Sequence, residues 1–230
     1  LDFYYFYDSK SNQRLSETLI NNHFFVKKEL TFARIRIPLP MKKFFRIYID
    51  AYSGLSKESW MLAIVMLLNR TGSMVLPFLG IYLISELNFS LEQSGVVLSC
   101  YGIGAVLGSW LGGWFTDRIG NFKVQALSLL LSAPLFLLLP HFSTVLSFSI
   151  IMLVLSSISE MFRPANSVAI TRYAKKQNIT RAFSLNRMAI NLGFSIGPSM
   201  GGFLSNYSYD LLFYCNAGAA LLAGIVFVVF

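Results

Sequence analysis

The chain has 230 residues; 55% are hydrophobic, only 13% are charged, and the formal net charge is +8. Soluble domains carry about 25% charged residues, so the composition excludes an ordinary water-soluble domain and points to a membrane protein, which the helical segments described below make all-α. The two cysteines (Cys100, Cys215) and two histidines (His23, His141) lie far apart, which leaves no material for a disulfide framework, a metal site or a His-based catalytic cluster. No cofactor is expected.

Residues 1–40 contain no Met and no sustained helical or strand period. They read as an upstream or disordered segment, with Met41 as the expected start, and carry no functional assignment. Residues 41–58, with Lys42, Lys43, Arg46 and Lys57, read as a cytoplasmic N-terminal segment. A six-helix bundle then fills 59–230. A membrane-spanning helix needs about 20 mostly apolar residues, and such segments fall at about 60–84, 94–115, 124–139, 144–173, 182–205 and 211–230.

Basic residues mark one side of the membrane. The connection after the second segment has Arg118 and Lys123, and that after the fourth has Arg172, Lys175, Lys176 and Arg181. The stretches "SELNFSLEQ", "PHFS" and "SNYSYD" have no Lys or Arg. This alternation predicts a cytoplasmic N-terminus; the expected location is a bacterial inner (plasma) membrane. It also accounts for the net charge without a nucleic-acid partner. The expected surroundings are membrane lipid.

Polar residues interrupt some segments and not others. The first has Asn69 and Arg70, the fourth Glu160, Arg163 and Asn166, and the fifth Asn186, Arg187 and Asn191. The third and sixth have no charged residue in their apolar spans. The first and fourth segments open two successive triplets, so the pattern reads as two three-helix repeats with polar sites near the bilayer midplane. An Arg in hydrocarbon costs at least a few kcal/mol. Arg70 is therefore expected to line a polar cavity and to be paired with Glu160, which Arg163 also reaches by i,i+3 spacing. A buried carboxylate flanked by cations can take up and release a proton as its surroundings change, which makes Glu160 the candidate proton carrier. Arg187 lies nearer the basic end, where it can also snorkel. Tyr101 and Trp110 are open to either a cavity or a lipid reading, and the other aromatic and Met residues read as packing or lipid-facing groups. The segments hold no HExxH and no paired Asp, so no catalytic residues and no enzyme activity are expected.

Two motifs carry a family resemblance. "GGWFTDRIGNFK", Gly112 to Lys123, resembles the signature between the second and third helices of the major facilitator superfamily. Gly113, Asp117, Arg118 and Gly120 match, whereas Asn121 and Phe122 replace the usual basic pair. The match implies a gating loop, with Gly113 permitting close helix approach and Gly120 a tight turn. In "SLNRMAINLGFSIGPSMGGF", Gly193, Gly197, Pro198, Gly201 and Gly202 resemble the end of that family's antiporter signature, with Ser184 where a Gly is usual. Here Gly193 and Gly197 offer a packing face and Pro198 a possible kink. The Arg common early in the fourth helix of proton-coupled exporters is replaced by Met152.

The resemblance implies the N-terminal six-helix half of a secondary transporter whose C-terminal six-helix half is missing. It implies proton-coupled export of a small molecule by alternating access, with Asn69, Arg70, Glu160, Arg163, Asn166 and Arg187 lining the substrate and proton cavity. Uptake of an anionic or peptide-like solute is the alternative, although the Glu-x-x-Glu-Arg pattern of peptide transporters is absent before Arg70. A non-transporting half, acting as scaffold or pseudogene product, is the reading from another class.

Overall fold

A computed structural model describes residues 52–229. The expected upstream segment 1–40, the start at Met41 and all but the end of segment 41–58 lie outside the described residues. Those described form an all-α bundle of eight helices that make six segments. The first segment is α1 (Lys57–Thr71) and α2 (Val75–Ser85), and the second is α3 (Leu91–Ile119). The third is α4 (Asn121–Leu138), prolonged by a 3₁₀ turn (Leu139–His141). The fourth comprises α5 (Val145–Glu160) and α6 (Phe162–Tyr173), the fifth is α7 (Ile179–Ser205) and the sixth α8 (Asp210–Val229).

Five of the six segments are long and apolar enough to cross a membrane. The fifth, expected as a span at 182–205, has 27 helical residues, about 40 Å at 1.5 Å per residue. It falls short only in apolarity, because Asn186, Arg187, Asn191 and several Ser and Gly occupy it. Asn186 and the glycines Gly193, Gly197 and Gly201 are buried against the bundle, whereas Arg187 and Asn191 are exposed.

Side-chain caps start the helices where the chain enters them. Ser56 accepts from the Ser59 N–H at 3.2 Å, Thr144 accepts from Ser147 at 3.3 Å, and Ser90 with Gln93 forms a reciprocal capping box. Each satisfies donors that the first helical turn leaves unpaired. A single residue, Gly120, separates α3 from α4, at a φ of 90° that disfavours any residue with a Cβ.

The first and fourth segments are each broken in mid-course. The first leaves α-helical geometry at Gly72–Met74 and the fourth at Met161. Both breaks have the same chemical cause. A Pro removes the N–H that would bond the carbonyl four residues earlier, and its ring crowds that carbonyl. Pro77 does this to Ser73, and Pro164 does it to Glu160.

Packing follows the repeat. The second segment packs on the fourth, the fifth on the first, and the third on the sixth, so exchanging the two triplets leaves the pairing unchanged. Two glycine ladders with four-residue spacing make the first two contacts. A Cβ on Gly104 or Gly108 would run into the backbone of Leu153 or Ser157, and one on Gly112 would lie 2.6 Å from Met161 Cα. On α7, a Cβ on Gly193 would lie 2.5 Å from Arg70 Cβ, one on Gly197 2.9 Å from the Thr71 carbonyl oxygen, and one on Gly201 2.8 Å from the Phe78 ring. Small residues at this spacing let helix backbones meet where lipid supplies no hydrophobic drive between helices.

The interior has three levels. One apolar cluster, around Leu62, Met66, Phe162, Ile170 and Phe227, fills the end that carries the basic residues. A second, around Leu79, Leu83, Phe148, Leu155 and Phe213, fills the other. Arg70 and Glu160 lie in the sequence gaps between these clusters, at the helix breaks.

Candidate functional site

Arg70 is thirteen residues from the start of its segment at Lys57, and Glu160 is thirteen from the end of its segment at Tyr173. The two run in opposite directions, so both groups arrive at one depth. Arg70 sits in the last turn of α1, where the unpaired carbonyls favour a cation. Glu160 closes α5 immediately before α6 begins, so its carboxylate lies between the carbonyls that end one helix, which disfavour its charge, and the amides that start the next, which favour it.

The Arg70 Nη1 stands 3.8 Å from Glu160 Oε1, and the Arg163 Nη1 donates to Glu160 Oε2 at 3.2 Å. The carboxylate is thus shared, one oxygen facing each guanidinium. Arg70 and Glu160 are 9% and 8% exposed, whereas the Arg163 side chain is 64% exposed. The pair Arg70–Glu160 is close enough for charge attraction and too long for a hydrogen bond. The Arg70 guanidinium also lies 5.4 Å from the centroid of the Phe194 ring, within cation–π range. Its Nε has no partner among the described residues.

These groups line a cavity of about 170 Å³ together with Asn69, Ser73, Tyr101, Phe136, Met152, Phe194 and Asn216. At about 30 Å³ per water, it holds a few waters or a small chemical group. Its lining combines charged, neutral polar and aromatic side chains. Met152, at the position where exporters of the resembled family carry an Arg, is buried in this wall.

A second, more open recess of about 500 Å³ contains Asn166, Asn186 and Arg187, with Thr180 and Ser184. Arg163 lines both spaces. Asn166 Nδ2 donates to Asn186 Oδ1 at 3.2 Å in a buried contact that ties α6 to α7. The six residues expected in one cavity are therefore divided. Asn69, Arg70 and Glu160 share the first, Asn166 and Arg187 share the second, and Arg163 joins them. Arg187 is exposed and forms no ion pair among the described residues.

The geometry of the gating motif differs from the expected loop. Gly113, Asp117 and Arg118 lie within α3, and only Gly120 lies between helices. The helix persists because its backbone ladder extends to the last turn, where the Gly120 N–H bonds the Thr116 carbonyl. Nor is Gly113 the residue of close approach, since a Cβ there meets nothing within 4 Å; the adjacent Gly112 faces α5 and α6 instead. The reason is helical register: Gly112 continues the ladder of Gly104 and Gly108, and the next residue is turned about 100° away at 3.6 residues per turn. Arg118 stacks on Trp114, 3.8 Å from the ring centroid. On α7, Gly193, Gly197 and Gly201 hold the contact with the first segment, a Cβ on Gly202 would meet only the Phe78 ring, at an ordinary 3.5 Å, and the helix runs unbroken through Pro198.

Sequence reasoning missed several cavity residues. Phe136 and Phe194 line it, although aromatics read as packing groups, and Tyr101 does so while Trp110 is exposed and outside it. Asn216 was also missed. Its signal was its isolation as the one amide in the apolar run from Leu211 to Val229.

The Major Facilitator Superfamily profile matches residues 61–230. The uncharacterized MFS-type transporter YttB of Bacillus subtilis is 29% identical over 157 residues, covering 68% of this chain and 39% of that protein. A second Bacillus subtilis protein, the uncharacterized MFS-type transporter YqjV, is 25% identical over 169 residues, 73% of this chain and 41% of the relative. The multidrug resistance protein MdtG of Escherichia coli is 30% identical over 156 residues, 66% of this chain and 38% of MdtG. The chain thus spans about two fifths of the length of the curated relatives it matches.

Proposed function

This chain belongs to the major facilitator superfamily, as an integral multi-pass membrane protein, and we propose that it supplies helices one to six of a secondary transporter that exports a small molecule in exchange for protons. The observation that carries this reading is the Glu160 carboxylate, buried at the level of two helix breaks and shared between Arg70 and Arg163 beside a cavity. Such a carboxylate binds a proton when a cation withdraws and releases it when the cation returns. Arg163 is exposed enough to move, and the breaks beside Arg70 and Glu160 let the helix halves tilt.

In this reading the partners are protons, lipid, a small-molecule substrate and a second six-helix half facing the cavity. The basic end faces the cytoplasm of a bacterial cell and the N-terminus lies on that side. The Gly-Pro-x-x-Gly-Gly order around Pro198 supports exchange rather than uptake, and the name of the MdtG relative supports a multidrug substrate range. Uptake of an anionic solute is the second reading, supported by the excess of Arg70, Arg163 and Arg187 over one carboxylate.

The test is Glu160→Gln in the full-length protein in proteoliposomes. We expect substrate binding to persist and transport driven by an imposed pH gradient to cease. Unchanged gradient-driven transport would remove Glu160 from the coupling role. Purified chain 1–230 alone is expected not to transport, and robust transport by it would refute the need for a second half.

A further inference from the structure

Asn216 lies on α8, in the apolar run that follows Asp210, and is 6% exposed. Its carboxamide nevertheless makes no hydrogen bond among the described residues, and it lines the cavity beside Asn69, Arg70 and Ser73. It reaches that position through the gap in the first segment. A Cβ on Gly72 would lie 2.8 Å from Asn216 Oδ1 and 2.9 Å from Ala219 Cβ, so the helix break and the missing side chain together form the opening. The Asn216 amide atoms are not sealed away from the cavity, so they are available to whatever enters it.

The neighbours decide what that is. Asn69, Ser73 and Asn216 offer neutral hydrogen-bond donors, and Arg70 and Arg163 outnumber Glu160. Tyr101, Phe136 and Phe194 supply flat apolar walls. We propose that Asn216 is a substrate-binding residue which the sixth segment contributes through the Gly72 break, forming with Asn69 and Arg70 a subsite for the carboxylate of a ring-bearing substrate. The proposal rests on the transporter reading for the word substrate, but the site is testable without transport.

The probe is sodium benzoate, a ring with one carboxylate, and the reporter is a thiol. Cys100 and Cys215 are replaced by Ser, Ser73→Cys is introduced, and membrane vesicles of both orientations are treated with a charged methanethiosulfonate. Benzoate is expected to slow labelling of S73C, and benzyl alcohol is expected not to. Asn216→Leu should raise the half-protecting benzoate concentration about tenfold, the affinity carried by one hydrogen bond to a charged group. Asn216→Asp, isosteric with Asn, should abolish protection by placing a like charge in the subsite. Separately, N216C should label faster than Leu222→Cys, whose side chain lies on the exposed face of α8. Failure of benzoate to protect S73C, equal half-protection in Asn216→Leu, or N216C as inert as L222C would each overturn the proposal. A protected, Asn216-dependent site in a protein that moves no substrate would instead overturn the transport reading alone.

Discussion

Gly193→Ala adds one methyl group at the point where α7 crosses the end of α1. The new Cβ would lie 2.5 Å from Arg70 Cβ and 3.0 Å from the Arg70 carbonyl carbon. Carbon atoms settle at about 3.5–4.0 Å, so the two helices must part by about 1 Å. Both obstacles belong to backbone or to the root of a side chain, and a rotamer change relieves neither. Overpacking of this kind costs about 1–3 kcal/mol. Replacing Gly by Ala in a helix also returns about 1 kcal/mol of backbone propensity, so the comparison needs a control that collects the propensity without the clash. Gly218→Ala on α8 is that control, since its Cβ meets nothing within 4 Å. The apparent melting temperature of Gly193→Ala should fall below that of Gly218→Ala by several degrees, at about 2–4 °C per kcal/mol for a chain of this size. Both proteins are purified in the same detergent and scanned at one rate, because membrane-protein unfolding is commonly irreversible. The displacement also reaches the site. Arg70 is 3.8 Å from Glu160, so displacing the end of α1 changes this spacing and should alter transport in the full-length protein. If the two variants melt together, the close contact between the first and fifth segments is not there.

Glu160→Ala leaves the Arg70 guanidinium buried and uncompensated, which costs about 3–5 kcal/mol where a buried pair loses one member. The double variant Arg70→Leu/Glu160→Leu should recover most of that loss in the same melting assay, and a strictly additive double variant would contradict pairing. Gly112→Ala should destabilise by about 1–3 kcal/mol through overpacking against Met161, whereas Gly113→Ala should melt at or above the wild-type temperature; the reverse order would mean that Gly113 is the packing residue. Asn166→Leu strands the Asn186 oxygen and should cost about 1–3 kcal/mol, with Asn166→Leu/Asn186→Leu partly restoring stability. Equal losses in the single and double variants would show that the amide contact of 3.2 Å contributes nothing.

The parts of this molecule that were legible in the sequence are those dictated by solvent. A segment that crosses hydrocarbon must be apolar for about 20 residues, so the helices and their approximate limits could be located. A guanidinium there needs a partner, and the fourth segment offered a single carboxylate, so Arg70 and Glu160 could be matched across ninety residues of chain. Glycine contacts were legible only where a motif drew attention to them. The packing face of Gly193 and Gly197 is legible, but its continuation to Gly201 and the equally spaced Gly104–Gly108–Gly112 are not, and the motif points to Gly113 instead of Gly112, because spacing alone does not say which face of a helix is covered. The breaks show the limit most clearly. Pro77 and Pro164 each follow a cavity wall in sequence, yet α4 runs unbroken through Pro134 and α7 through Pro198. A proline removes one hydrogen bond everywhere; whether the helix opens depends on what can use the freed backbone and the space beside it. At Gly72 that space admits Asn216 from another segment. At Met161 it is met by Gly112, and the Glu160 side chain turns to two cations. Local sequence supplies the weak point, and the tertiary neighbour decides that it becomes a site.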